Sequence, residues 1–168
     1  LLGGARVIFV TVGTHEQPFD RLVRAVDGLV ADGTIAEPVF MQTGYCTYEP
    51  EHSEWARFVP APEMRSRMEA ADVVVTHGGP SSFVEAMAAG KVPVVVPRRA
   101  EYGEHVNDHQ ADFVHEVAER KGGIVPVYDA AELPAAIEEA RRLTAGGAGF
   151  ESHNAEFCEG LARMIEEL

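Results

Sequence analysis

The sequence predicts an α/β domain built on a doubly wound parallel sheet. Three observations lead there. Short β-branched runs recur along the chain, each ended by glycine or proline. Segments with apolar residues at helical spacing separate them. Polar loops follow the first, fourth and fifth of these runs, as at the ligand edge of such a sheet. Alternating strands and crossover helices give parallel pairing with helices on both faces, a Rossmann-like arrangement of about six strands.

The first strand covers Arg6 to Val12 and ends at Gly13-Thr14-His15. Pro18 and Phe19 open a helix with Leu22, Val23, Val26 and Leu29/Val30 on one face, closed by Asp32-Gly33. Pro38 to Thr43 is the second strand, stopped by Gly44, and Tyr45 to Ser53 is loop. Ala56 to Val59 is the expected third strand, halted by Pro60 and Pro62. Glu63 to Ala70 follows as a short helix, with Met64 and Met68 one turn apart. Val73-Val74-Val75 suits a strand buried on both faces, and the next helix ends at the glycine cap Ala89-Gly90. Val92 to Val96 is the fifth strand, bounded by Pro93 and Pro97. A charged loop, Arg98 to Asn107, leads to a helix over Asp108 to Arg120 with Ala111, Val114/His115 and Ala118 facing in. Gly122-Gly123 break that helix, Ile124 to Val127 form an edge-like sixth strand, and Asp129 caps a helix from Ala130 to Leu143.

After the glycine-rich Thr144 to Gly149, residues Phe150, Phe157, Leu161 and Met164/Ile165 mark a last amphipathic helix. The expected division is a ligand-binding domain over 1–149 and a helix over 150–168 that packs on it or on a partner. Leu1 to Ala5 read as a disordered lead-in or a cloning remnant, with neither the basic region nor the apolar core of a signal peptide.

A chain of 168 residues, 46% hydrophobic and 24% charged, is a soluble globular domain. A net charge of −13 argues against general nucleic-acid binding, but leaves room for one phosphate at one helix end. Cys46 and Cys158 form no disulfide framework or metal spacing, which reads as a reducing cytoplasm. No apolar run approaches the ~20 residues of a membrane helix.

The stretch Ala71 to Ala86 organises the rest. A buried strand runs into His77-Gly78-Gly79-Pro80-Ser81-Ser82, and Glu85 follows one helical turn later. Two readings stand side by side. One is a phosphate cradle with a carboxylate placed for a sugar hydroxyl. The other is an ordinary strand–helix turn. Glycine lets backbone approach a ligand, proline fits the first helical turn, and free N–H groups at a helix start attract anions. The loops Gly13-Thr14-His15 and Arg98 to Gln110 collect at the same sheet edge, which moves the phosphate reading ahead. A dinucleotide is disfavoured: Gly13-Thr14-His15-Glu16-Gln17-Pro18 holds one glycine where the fingerprint needs three. No Gly-Lys-Ser/Thr of a P-loop occurs. A nucleotide-sugar site fits better.

Val10 to Leu22 resembles the opening of small bacterial exopolysaccharide and capsule glycosyltransferase subunits, similar to the catalytic half of the eukaryotic Alg13/Alg14 N-acetylglucosaminyltransferase. Gln42-Thr43-Gly44, Phe58-Val59 with Met64, Ala71 through Ala86 and Asn107 to Gln110 resemble the C-terminal half of glycosyltransferase family 28, to which the peptidoglycan enzyme MurG belongs. The resemblance implies half of a GT-B glycosyltransferase that binds a UDP-sugar. It implies uracil near Val59 and Met64, diphosphate at Gly78, Gly79, Pro80, Ser81 and Ser82, and ribose at Glu85. It places the donor sugar near Asp108, His109 and Gln110, and turns the Gly13-Thr14 loop toward the diphosphate. An Alg14-like membrane-anchored subunit and a lipid-linked saccharide acceptor are the implied partners, at the inner face of the cell membrane. No Asp-x-Asp motif appears, so metal-independent chemistry without a cofactor is expected.

Other residues carry weaker signals. His15 is expected to bind ligand, with a general-base role as the lesser reading. His77 either braces the corner or touches phosphate. His105 and His109 mimic a metal pair but lack a third ligand. His52, His115 and His153 read as surface or interface residues, and Cys46 as a buried thiol. Arg98-Arg99 read as solvated charge or as ion pairs with Glu101 and Glu104, ahead of pairing with phosphate or anionic lipid. The expected activity is an inverting transfer from a UDP-sugar. The alternatives are a UDP-binding regulatory module and an epimerase-like protein.

Overall fold

The computed structural model describes residues 6–146 together with Glu159, Gly160 and Arg163. The elements run β1 (Ile8–Thr11), α1 (Asp20–Ala31), β2 (Val39–Gln42), β3 (Glu54–Ala56), α2 (Ala61–Ala70), β4 (Val73–His77), α3 (Pro80–Ala88), β5 (Val94–Val96), α4 (His109–Arg120), β6 (Val125–Pro126) and α5 (Leu133–Ala145). The sheet order is β3-β2-β1-β4-β5-β6, and every pairing is parallel. This is the doubly wound, Rossmann-like arrangement. The order reverses between β1 and β4, where such sheets open a ligand crevice.

Alternate residues of each strand point to opposite faces. Ile8 and Val10 of β1, with Val73 and Val75 of β4, pack with Leu22, Val23 and Val26 of α1 and Ile137 and Ala140 of α5. Phe9 and Val74 point the other way, onto Met68 of α2 and Ala86 of α3. Val95 of β5 meets Phe83, Met87, Phe113, Val114 and Val117 of α3 and α4. Both faces of β4 are therefore covered, as its unbroken valine run requires.

Some expectations shift. The third strand is Glu54–Ala56, not Ala56 to Val59. It pairs only with β2, whose last residue, Gln42, faces Ala56. Gly44 then turns away at φ 54°, leaving Phe58 and Val59 without a strand to pair with. The buried face of α4 is Phe113, Val114 and Val117, whereas His115 is exposed. Asp129 does cap its helix, accepting the Ala131 N–H at 2.9 Å, through a single 3-10 turn before α5. The Tyr45 to Ser53 loop is pinned to α1. Asp20 accepts the Thr47 and Tyr48 N–H groups and the Thr47 hydroxyl, and Asp27 accepts from Tyr48 Oη, Glu51 N and His52 N. The expected last helix and His153 lie outside the described residues. No helix among the described residues is long and apolar enough to cross a membrane.

Candidate functional site at the switch point

Two glycine loops leave the sheet where β1 and β4 end side by side. The imidazole of His77, the last residue of β4, fills the space between them and is 7% exposed. A Cβ on Gly13 would fall 2.4 Å from His77 Nε2, and one on Gly79 would fall 2.2 Å from Cε1. Gly13 also sits at φ 77°, where a side chain is strained. Gly78 serves another contact: its Cβ would meet Pro97 Cα at 3.0 Å and Val114 Cγ2 at 3.1 Å. The corner thus packs tightly on the exit of β5.

Hydrogen bonds set the tautomer of the ring. The Gly79 N–H donates to His77 Nδ1 at 3.1 Å, and Nε2 lies 3.1 Å from Ser82 Oγ. Burial pushes the His77 pKa down to about 3, and the charges of Arg98, His15 and His105 act in the same direction. The ring is therefore neutral at neutral pH. A neutral imidazole whose Nδ1 accepts carries its proton on Nε2, which then donates to Ser82 Oγ. The Ser82 hydroxyl proton is left to donate outward.

The N-terminus of α3 opens beside it. Ser82 and Phe83 turn their N–H groups back to the Gly79 carbonyl, at 3.1 and 3.4 Å. Pro80 has no N–H, and the N–H of exposed Ser81 has no partner among the described residues. The corner presents the Ser81 N–H as an exposed backbone donor, one directed hydroxyl and the positive end of a nine-residue helix. That set suits an anion.

Gln42 holds the opposing loop. Its Oε1 accepts from Thr11 Oγ1 at 2.6 Å and from the Gly13 N–H at 3.1 Å, while its Nε2 donates to the carbonyls of Gly13 and Arg57 at 3.1 and 2.7 Å. The Gly13 N–H therefore points inward, and Gly13 offers a ligand room rather than a donor. Thr14 is exposed at the tip of this loop.

Arg98 corrects an expectation. It is fully buried, not solvated, and makes no ion pair with the Glu104 carboxylate. Its guanidinium donates to the carbonyls of Val12, Gln17 and Glu104, at 2.8, 2.6 and 3.1 Å. The cation thus ties the loop after β1 to the loop after β5. The Glu104 carboxylate takes Arg21 instead, at 2.9 Å, and the Arg99 N–H at 3.0 Å. Arg99 pairs with Glu101 at 3.4 Å and Asp108 at 3.5 Å.

The remaining residues divide between the crevice and its flanks. Asp108 accepts the Ala100 N–H at 2.9 Å, and Gln110 accepts the Arg98 N–H at 3.1 Å; both brace the loop after β5. His109 is exposed at the start of α4. His15 stacks on His105 with ring centroids 4.5 Å apart and planes within 9°. Glu85 lines a groove of about 290 Å³ between α2 and α3, beside Arg65, Met68 and Glu69. Met64 packs on the Phe9–Met68–Val74 cluster. Val59 is half-buried next to Phe58, which is 48% exposed and meets Tyr45 edge to face at 5.3 Å. Cys46 is buried, and burial pushes its thiol up to about 11. A separate groove of about 570 Å³ lies along α1, lined by Pro18, Arg21, Arg24 and Tyr102. Among the described residues no cluster of three His, Cys, Asp or Glu side chains is arranged for a metal ion.

The sequence places Gln42 in a family motif and the Arg98 to Gln110 loop at this edge, but assigns none of Gln42, Arg98 and His105 to the ligand. Gln42 did carry a signal, being the one polar residue that ends the apolar run Val39-Phe40-Met41.

The fold defines the class: the C-terminal half of GT-B glycosyltransferases. The chain belongs to the glycosyltransferase family 28 C-terminal domain family, whose profile matches residues 7–143. No curated protein sequence matches significantly. Among solved structures it is similar to the glycotransferase of kitacinnamycin, at 21% identity and a TM-score of 0.66, covering 100% of this chain and 44% of that one. It is also similar to the calicheamicin glycosyltransferase CalG4, at 20% identity and a TM-score of 0.62, covering 98% and 41%. SnogD from Streptomyces nogalater follows at 18% identity and a TM-score of 0.55, covering 99% and 45%. The chain spans less than half the length of these relatives.

Proposed function

We propose that this chain is the donor-binding half of an inverting glycosyltransferase that uses a UDP-sugar. The observation that carries the reading is the corner itself. A neutral, glycine-flanked His77 directs Ser82 beside the open N-terminus of α3, at the switch point of the sheet. When a glycosidic bond to UDP breaks, negative charge grows on the leaving diphosphate. Donors already fixed in place stabilise that charge without reorganising. Ser81 N–H, the Ser82 hydroxyl and the helix end are such donors. Glu85, one turn into α3, is assigned to the ribose hydroxyls, and the Phe58–Val59 edge to the uracil.

The acceptor and its general base belong to the other half of the enzyme, assigned to an Alg14-like membrane-anchored partner that presents a lipid-linked saccharide. That assignment rests on the resemblance of Val10 to Leu22 to small two-subunit glycosyltransferase chains. His15 is assigned to donor binding rather than to the base role, because the base belongs with the acceptor in the other half.

Calorimetric titration with UDP and then with a panel of UDP-sugars tests the reading. Saturable UDP binding is expected, weakened at least tenfold in Glu85→Ala. Absence of binding at millimolar UDP removes the donor assignment. Unchanged affinity in Glu85→Ala removes only the ribose role. A chain that binds UDP yet stays inactive when co-expressed with its partner is a regulatory module instead.

A further inference from the structure

The stacked imidazoles of His15 and His105 join two loops that leave different strands. His15 follows β1 and His105 follows β5, and their rings are parallel at 4.5 Å. Their outer hydrogen bonds assign the ring nitrogens. Gln17 Oε1 lies 2.9 Å from His15 Nε2, so that nitrogen is the donor and Nδ1 is left bare. The Asn107 N–H points at His105 Nδ1 from 3.4 Å, so the His105 proton sits on Nε2. His15 Nδ1 is thus the one nitrogen of the pair with an open lone pair and no partner among the described residues.

The groups around the pair make it selective about when it charges. Arg98, at the exit of β5, is a fixed buried cation. His77 at the exit of β4 stays neutral, and His109 stands at the start of α4. On the neighbouring loops, Glu104 is already taken by Arg21 and the Arg99 N–H, and Glu16 is exposed beside His15. Burial holds His105 below the usual histidine range, and His15, Arg98 and His109 add to that. An anion entering the crevice reverses the balance, because an opposite charge within about 4–6 Å favours the protonated ring. Two stacked imidazolium rings repel, so the pair takes one proton and not two.

We propose that the His15–His105 stack is a proton-linked anion site, in which His15 Nδ1 takes up one proton as a diphosphate binds and the resulting imidazolium pairs with it. His105 is the ring on which that cation rests. The proposal rests on the donor-binding reading above and adds the residue pair and the proton. It implies that donor affinity falls as pH rises, and that the proton leaves with the nucleoside diphosphate.

The test is calorimetry of the full chain with UDP from pH 7 to 8.5, in buffers of different ionisation heat. Over this range the terminal phosphate of UDP, with its second pKa of about 6, is already ionised. Uptake approaching one proton per UDP is expected, with affinity falling up to tenfold per pH unit. His15→Gln is expected to abolish the uptake and flatten the pH profile. His105→Phe, which keeps a ring under His15, is expected to retain part of the uptake, and His105→Ala to lose most of it. UDP binding without proton uptake, or uptake unchanged in His15→Gln, overturns this proposal and leaves the donor reading standing. Absence of UDP binding at every pH overturns both.

Discussion

The His77 ring is held by the Gly79 N–H at Nδ1, 3.1 Å away, and this single bond decides what the corner can offer a ligand. It fixes the tautomer, sends the Nε2 proton to Ser82, and so turns a serine of ambiguous polarity into an outward donor. On the proposed donor reading, His77 acts through Ser82 rather than on the ligand. His77→Asn and Ser82→Ala are therefore expected to weaken UDP binding to a similar degree, roughly tenfold each, a loss of about 1.4 kcal/mol. The double variant should lose little more than either single one. Full additivity in a double-mutant cycle contradicts the relay.

The two glycines against that ring are expected to resist any side chain. Gly13→Ala and Gly79→Ala place a methyl where His77 already sits. Overpacking of this kind costs about 1–3 kcal/mol. Urea unfolding should show that loss for both, whereas Gly28→Ala, with open space around it, should be neutral or stabilising.

Gln42 uses both ends of its amide, so charge is no substitute for it. Gln42→Glu keeps the acceptor for Thr11 and Gly13 but loses the donor to the Gly13 and Arg57 carbonyls. A buried group left unpaired costs roughly 1–3 kcal/mol. The variant is expected to be at least that much less stable in urea, and most strongly so above the carboxyl pKa. Arg98→Lys is expected to lose at least ~2 kcal/mol, since one ammonium cannot span the carbonyls of Val12, Gln17 and Glu104.

Acid should lower the stability of the chain over two pH ranges. His77 has a folded pKa near 3, below its ordinary 6.5. The unfolded chain binds that proton first, so stability is fully present above pH 6.5 and falls as pH drops toward 3. Asp20 and Asp27 act lower down. Burial raises both, but hydrogen bonds from Thr47 and Tyr48 to Asp20, and from Tyr48, Glu51 and His52 to Asp27, outweigh it and leave both below 3.8. Their stabilisation is present above that value and lost as pH falls through the folded pKa. In thermal melts from pH 7 to 2, His77→Asn should flatten the upper limb, and Asp27→Asn the lower.

Much of this molecule is legible in the chain. The valine run of β4 and the glycines after β1 and β4 identify the sheet edge, because only backbone conformation and strand burial are involved. Long-range polar pairing is not legible in the same way. Nothing in the sequence tells that Gln42 reaches Gly13, 29 positions away, or that Arg98 turns inward to three carbonyls rather than to the Glu104 carboxylate. Those choices follow from how the loops converge once the sheet has formed. The third strand lies at Glu54–Ala56 for the same reason: its limit is set by where β2 turns away, not by its own residues.

The most direct measurement is a two-dimensional amide NMR titration of the isotope-labelled chain with UDP. The largest shifts are expected on Gly78, Ser81, Ser82 and Thr14, with smaller ones near Phe58 and Glu85. Shifts that instead cluster along the α1 groove at Arg21, Arg24 and Tyr102, leaving the Ser81 amide unmoved, would contradict the donor reading.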